Sequence, residues 1–173
     1  MTVEQGASWL PPEPATQFRE LYEEHYEGVR RLLRGQCRDW FLVDDVVHDA
    51  FLAARGKWST ICGYEKPAGW VYCAALLILK NRIRAASRCA PCEDIEAMSP
   101  ATVEPYAQVE RAIDIELLLQ RLTLRERQAV VLCFQLGWKE RDAAAILGIA
   151  VSTLREYKRD GRHKLERSHD RPV

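Results

Sequence analysis

LGIAVSTLREYKRDGRHKL, residues 147–165, decides how the rest of the chain is read. Gly148 interrupts an apolar run, Ser152 and Thr153 follow, and basic residues then crowd one short segment. Upstream, Lys139 to Leu147 has the pattern of a short helix, and Gly148 to Val151 reads as a turn. Ser152 onward reads as the last helix, with the serine as its cap. Two short helices joined by a glycine-containing turn form a helix-turn-helix. Ala143 to Ala145 are small, which lets the two helices approach closely. The last helix offers Ser152, Thr153, Arg155, Glu156, Lys158, Arg159 and Arg162 on or near its wetter faces. A helix fits the DNA major groove, arginine can read guanine through two hydrogen bonds, and lysine can hold phosphate. A solvated basic helix on any α-domain would carry the same run of charge.

The charge is local. The chain has 173 residues with 25 Lys and Arg against 25 Asp and Glu, so overall charge announces no nucleic-acid partner and its distribution must. A length of 173 residues with 47% apolar content suits one medium domain or two small ones. The start, MTVEQGASWLPPEP, lacks the basic and apolar regions of a secretory signal. The run Val71 to Leu79 is far short of the roughly 20 apolar residues of a membrane helix. These features point to a cytoplasmic protein with no membrane span. Of six cysteines, Cys89 and Cys92 form one C-x-x-C, and no second pair completes a metal site. No metal and no cofactor are expected.

Working back toward the N-terminus, Thr123-Leu-Arg-Glu126 matches a capping box and opens a helix through Ala129, Val130, Leu132 and Phe134 to near Gly137. Ile115, Leu118, Leu119 and Leu122 make a helical stripe before it. Residues 89–108 hold Pro91, Pro100 and Pro105 and begin an acidic stretch, which reads as a linker. Before it, a helix from about Pro67 to Ser87 has the apolar middle CAALLIL, expected to be largely buried. That helix ends in Lys80, Arg82, Arg84 and Arg88. Residues 56–69 read as a loop that includes the aromatics Trp58 and Tyr64. Basic groups beside aromatic rings suit unpaired DNA, while core aromatics would give the same composition. Val43, Val46, Val47, Ala50, Phe51 and Ala54 form an amphipathic stripe, with Asp44 and Asp45 expected at its helix start. Another helical pattern runs from Gln17 to Leu33, and residues 1–16 read as a loose tail. The fold class is all-α: two small helical domains, 17–88 and 109–168, joined by a flexible acidic linker and followed by a tail at 169–173.

These stretches, in this order, resemble the extracytoplasmic-function class of bacterial sigma factors. FRELYEEHYEGVRRLL resembles the opening helix of that family's first domain, and DDVVHDAFLAA its most characteristic motif. PAGWVYCAALLILKNRIRAASR resembles the promoter-opening helix, and LQRLTLRERQAVVLCFQLGWKERDAAAILGIAVSTLREYKRDGRHKL resembles the second domain. The resemblance implies a protein without catalysis of its own that binds core RNA polymerase, directs it to promoter DNA and helps open the duplex. It implies that Asp44, Asp45, Val46, Val47, Asp49 and Phe51 belong to the polymerase-docking helix. It implies single-stranded minus-ten capture by Trp58, Tyr64, Lys66, Trp70, Lys80, Asn81, Arg82, Arg84 and Arg88. The last helix would read the minus-thirty-five duplex, the linker would thread toward the RNA exit channel, and an anti-sigma factor would be a partner.

The chain departs from the family pattern in four places. His48-Asp49 stands where a glutamine-glutamate pair is usual, and Leu76-Leu77 where a polar Arg-Asn pair is usual. Asn81 replaces an aspartate, and Lys158 occupies an apolar position whose packing Tyr157 would take over. Three other readings stay open on the residues alone. They are a helix-turn-helix regulator that needs no polymerase, a polymerase-binding module that does not initiate, and a thiol enzyme using Cys89 and Cys92.

Overall fold

The computed structural model describes residues 12–89 and 118–169, and side chains over 16–87 and 118–167. Every regular element among them is helical. The chain falls into two compact units: Met1–Leu79 with Ala145–Gly148, and Lys80–Ala144 with Ile149–Val173. Most of the expected linker, from residue 90 onward, lies outside the described residues.

The first unit is built on α1 (Pro12–Arg34), α2 (Trp40–Gly56), a single turn α3 (Trp58–Ile61) and the start of α4 (Pro67–Cys89). Helix α1 begins before Gln17, so residues 12–16 are not tail. Pro12 and Pro14 fit there because the first N–H groups of a helix have no intrahelical acceptor. Val29, Leu32 and Leu33 of α1 are buried with the α2 stripe from Val43 to Ala54, all six residues of which are core. Tyr22 meets Phe51 edge-on at 4.8 Å, and His25 meets Tyr72 edge-on at 6.0 Å. Asp39 starts α2, its Oδ1 accepting from the Leu42 N–H at 3.1 Å. Asp44 and Asp45 therefore lie beyond the first turn, correcting their expected place at the helix start. Asp44 instead takes Arg30 of α1 in a two-point ion pair, Nε to Oδ1 at 2.6 Å and Nη2 to Oδ2 at 3.2 Å.

Helix α4 departs from its expected burial. Within CAALLIL only Ala75 and Leu79 are core, while Cys73 is exposed and Leu77 is 58% exposed. A helix packed along one side buries one stripe, and apolar residues off that stripe stay in water however many there are. No helix among the described residues is long and apolar enough to cross a membrane.

In the second unit, Thr123 caps α5 (Leu124–Val130) through the expected box. The Glu126 N–H donates to Thr123 Oγ1 at 3.4 Å and the Thr123 N–H to Glu126 Oε2 at 2.9 Å. A π turn, Val131–Gln135, follows and leaves Phe134 53% exposed. Gly137 ends this segment at φ +69°. Helix α6 (Glu140–Leu147), of which Glu140 to Ala144 belong to this unit, leads through Gly148, φ +63°, into α7 (Val151–His169). Both glycines occupy left-handed backbone, where a β-carbon is strained. Ala143 and Ala144 are buried, as are Leu154 of α7 and the α5 residues Ala129 and Val130, while Ala145, the third of the small residues, is exposed.

Glu126 is buried at 6% exposure and receives Lys164 Nζ of α7 on both oxygens, at 2.7 and 2.8 Å. Burial alone would raise its pKa. The hydrogen bonds from Lys164 and from Thr123 outweigh that and hold the carboxyl below its ordinary value.

Candidate nucleic-acid interface

Helix α7 starts at Val151, one residue before the expected cap, so Ser152 is its second residue and Ala150 precedes it. Backbone closure supplies the first turn, with the Leu154 N–H donating to Ala150 O at 3.0 Å. Ser152, Arg155, Glu156, Arg159 and Arg162 are exposed, while Thr153 and Lys158 are half-buried. The basic helix is interleaved with acids. Arg159 Nε meets Asp160 at 3.1 Å and Arg162 Nε meets Glu166 at 2.6 Å. Arg155 Nε reaches Glu140 Oε2 at 2.7 Å, and Lys158 Nζ takes Glu140 Oε1. These bonds, from Lys158 first and then Arg155, hold the Glu140 carboxyl below the usual carboxylate range.

Lys158 is the cation at the usually apolar position, and the structure accounts for it. Its ammonium lies 5.8 Å from the Phe134 ring centroid and on Glu140, so its stem covers apolar surface while the head stays paired. Tyr157, the residue expected to take over that packing, is half-buried.

On the minus-ten side, Trp58 departs from expectation. It is 4% exposed and receives Phe18 edge-on at 5.3 Å, so it is a core aromatic. The single turn α3 turns it inward, and nothing in a run of loop-forming residues announces a four-residue helix. Tyr64 is 48% exposed and Lys66 is exposed. Trp70 is half-buried, with Lys57 Nζ 5.8 Å from its ring centroid. Along α4, Lys80, Asn81 and Arg84 are exposed and Arg82 is half-buried. The side chain of Arg88 lies outside the described side chains, as do Cys89 and Cys92. The helical period places Leu77, Lys80, Asn81 and Arg84 along one side of α4.

On α2, Val46, Val47 and Phe51 are 0%, 0% and 3% exposed, so they cannot touch a docked partner. They shape the helix from within. Asp45 is exposed, and Asp44 and Asp49 are half-buried. The outward side holds two residues the motif reading passed over: Phe41, 88% exposed, and Leu52, 54% exposed. They share a stripe with Asp45 and the exposed His48, at steps of four, three and four residues. The buried stripe already fixed this complement in the sequence, because whatever it excludes must face out.

A family model of sigma-70 region 2 matches residues 21–89, and one of sigma-70, region 4, matches residues 112–165. The ECF RNA polymerase sigma factor SigM of Mycobacterium tuberculosis is 30% identical over 152 residues, covering 87% of this chain and 76% of that protein. The fold is shared with the sigma factor RpoE of Bartonella quintana, solved with the anti-sigma factor NepR. The TM-score there is 0.70 at 20% identity, over 90% of this chain and 99% of that one. CnrH, solved with the cytosolic domain of CnrY, gives a TM-score of 0.59 at 25% identity, over 95% of this chain and 92% of that one. With both conserved regions in order on one chain, this protein belongs to the ECF class of RNA polymerase sigma factors.

Proposed function

We propose that this chain docks on core RNA polymerase through the outward side of α2 and directs it to promoters, opening one element and reading another as duplex. The polymerase supplies the catalysis, and this chain supplies recognition. The observation that carries the reading is the pairing of two family regions on one chain, the second ending in an exposed basic helix. Residues 17–88 form the docking and minus-ten domain and residues 109–168 the minus-thirty-five domain, with 89–108 tethering them. A tether lets two weak sites act together through effective concentration.

Asp45, His48, Phe41 and Leu52 make the docking stripe, and Asp44 and Asp49 stand beside it. Tyr64, Lys66, Trp70 and the α4 residues Lys80, Asn81, Arg82, Arg84 and Arg88 hold the unpaired strand, rings stacking on bases and cations following phosphates. Ser152, Thr153, Arg155, Glu156, Lys158, Arg159 and Arg162 serve the duplex. RpoE was solved with the anti-sigma factor NepR and CnrH with the cytosolic domain of CnrY, and an anti-sigma factor is proposed for this chain on that likeness.

A second reading, binding without opening, is favoured by one observation. Leu77, half of the pair standing where the family has polar residues, is 58% exposed on the proposed strand-holding side of α4. Promoter-dependent run-off transcription with core polymerase separates the two. Transcripts from duplex promoter establish an initiating sigma factor. Transcripts only from a pre-melted promoter establish a chain deficient in opening. No association with polymerase removes both readings.

A further inference from the structure

Arg155 and Lys158 lie three residues apart on α7, and one carboxylate serves both. Glu140 is the first residue of α6, anchored by the buried Ala143 and Ala144 within the same two turns. Its two oxygens are divided, Oε2 to Arg155 Nε at 2.7 Å and Oε1 to Lys158 Nζ. The Arg155 side chain remains 66% exposed. A guanidinium held at Nε has its terminal nitrogens, Nη1 and Nη2, directed away from the holder. That terminal fork is the pair of donors that bonds guanine O6 and N7 together. A long side chain free in water loses rotamer entropy when it docks, and a carboxylate on a neighbouring rigid helix removes much of that loss beforehand.

We propose that Glu140 is a specificity-positioning residue: it aims the Arg155 fork at one base pair while anchoring Lys158 beside it. The inference rests on the duplex-reading role of α7. Glu140 itself touches no DNA. A negative charge so close to the phosphates costs non-specific affinity, so its value lies in discrimination.

The two effects separate experimentally. Holoenzyme assembled from core polymerase and the full chain is bound to a duplex library randomised over the minus-thirty-five element, and the bound fraction is sequenced. Affinity for random-sequence duplex is measured in parallel. Arg155→Ala is expected to erase the preference at one base pair. Glu140→Ala is expected to reduce the preference at that same pair about tenfold. Its affinity for random duplex should rise, because a repelling charge has gone. Glu140→Gln keeps an oxygen for Arg155 Nε and should recover part of the preference.

An unchanged preference in Glu140→Ala, with Arg155→Ala erasing it, would leave Glu140 as a charge screen only and overturn the proposal. A fall in both specific and random-duplex affinity, with a lowered Tm, would make its role structural and overturn it equally. A wild-type preference in Arg155→Ala would remove Arg155 from base reading and with it the reason for a positioning residue.

Discussion

A β-carbon at Gly161 of α7 would sit 2.8 Å from Val130 Cγ2 of α5. It would also lie 3.4 Å from the Glu126 Cβ. Glycine in a helix interior is unfavourable by about 1 kcal/mol relative to alanine, so propensity alone argues for alanine here. The close approach argues the other way, because Val130 is β-branched, buried and unable to swing aside. Overpacking wins: Gly161→Ala is expected to destabilise the chain by about 1–3 kcal/mol in urea unfolding. Val130→Ala in the same chain should return part of that loss. A gain in stability from Gly161→Ala alone would show that the two helices can part at little cost.

Lys164 is expected to matter through the buried carboxylate it serves. Lys164→Met leaves Glu126 with Thr123 but without its cation, and stability at neutral pH should fall by about 1–3 kcal/mol. The sign of the pH dependence follows from the depressed Glu126 pKa. The stabilisation is complete above the ordinary glutamate value of 4.5 and is lost as pH falls through the lower folded value. The gap between wild type and Lys164→Met should therefore narrow on acidification. A gap that stays constant from neutral to acid would mean that Glu126 does not supply it.

Adjacent acids on α2 should separate. Asp44 is spent on Arg30, and Asp44→Ala should cost at most about 1 kcal/mol of stability, as expected of a partly exposed pair. Asp45→Lys reverses a charge on the outward stripe and should weaken polymerase binding about tenfold or more with circular dichroism unchanged. Phe41→Ala, at 88% exposure, should do the same without a loss of Tm. Wild-type affinity in both would move docking off this side of α2.

Two aromatics that look alike in sequence should behave oppositely. Trp58→Ala empties a core site and should cost about 3–5 kcal/mol of stability. Tyr64→Ala should leave Tm unchanged and weaken binding of single-stranded minus-ten DNA by holoenzyme by about 1–3 kcal/mol. If Trp58→Ala instead kept its Tm and lost strand binding, the assignment of Trp58 to the core would fail.

The helical class, the helix-turn-helix, the capping box at Thr123 and the inward stripe of α2 are all legible in the order of residues. Each of these is local, set by residues within one or two turns of one another, and periodicity and turn chemistry report such relations directly. The family's order of motifs was legible for the same reason. Which apolar residues of α4 stay in water was decided only in three dimensions, as was the burial of Trp58 against Phe18. So was the sharing of Glu140 between Arg155 and Lys158, and the narrow gap that requires glycine at 161. Those outcomes join residues distant in the chain, and one-dimensional patterns carry no distances. A helix that is apolar on several sides does not state which side meets a neighbour, and a charged residue does not name its partner. Packing makes both choices, because only a finished core fixes which surfaces are excluded from water and which side chains come within bonding reach.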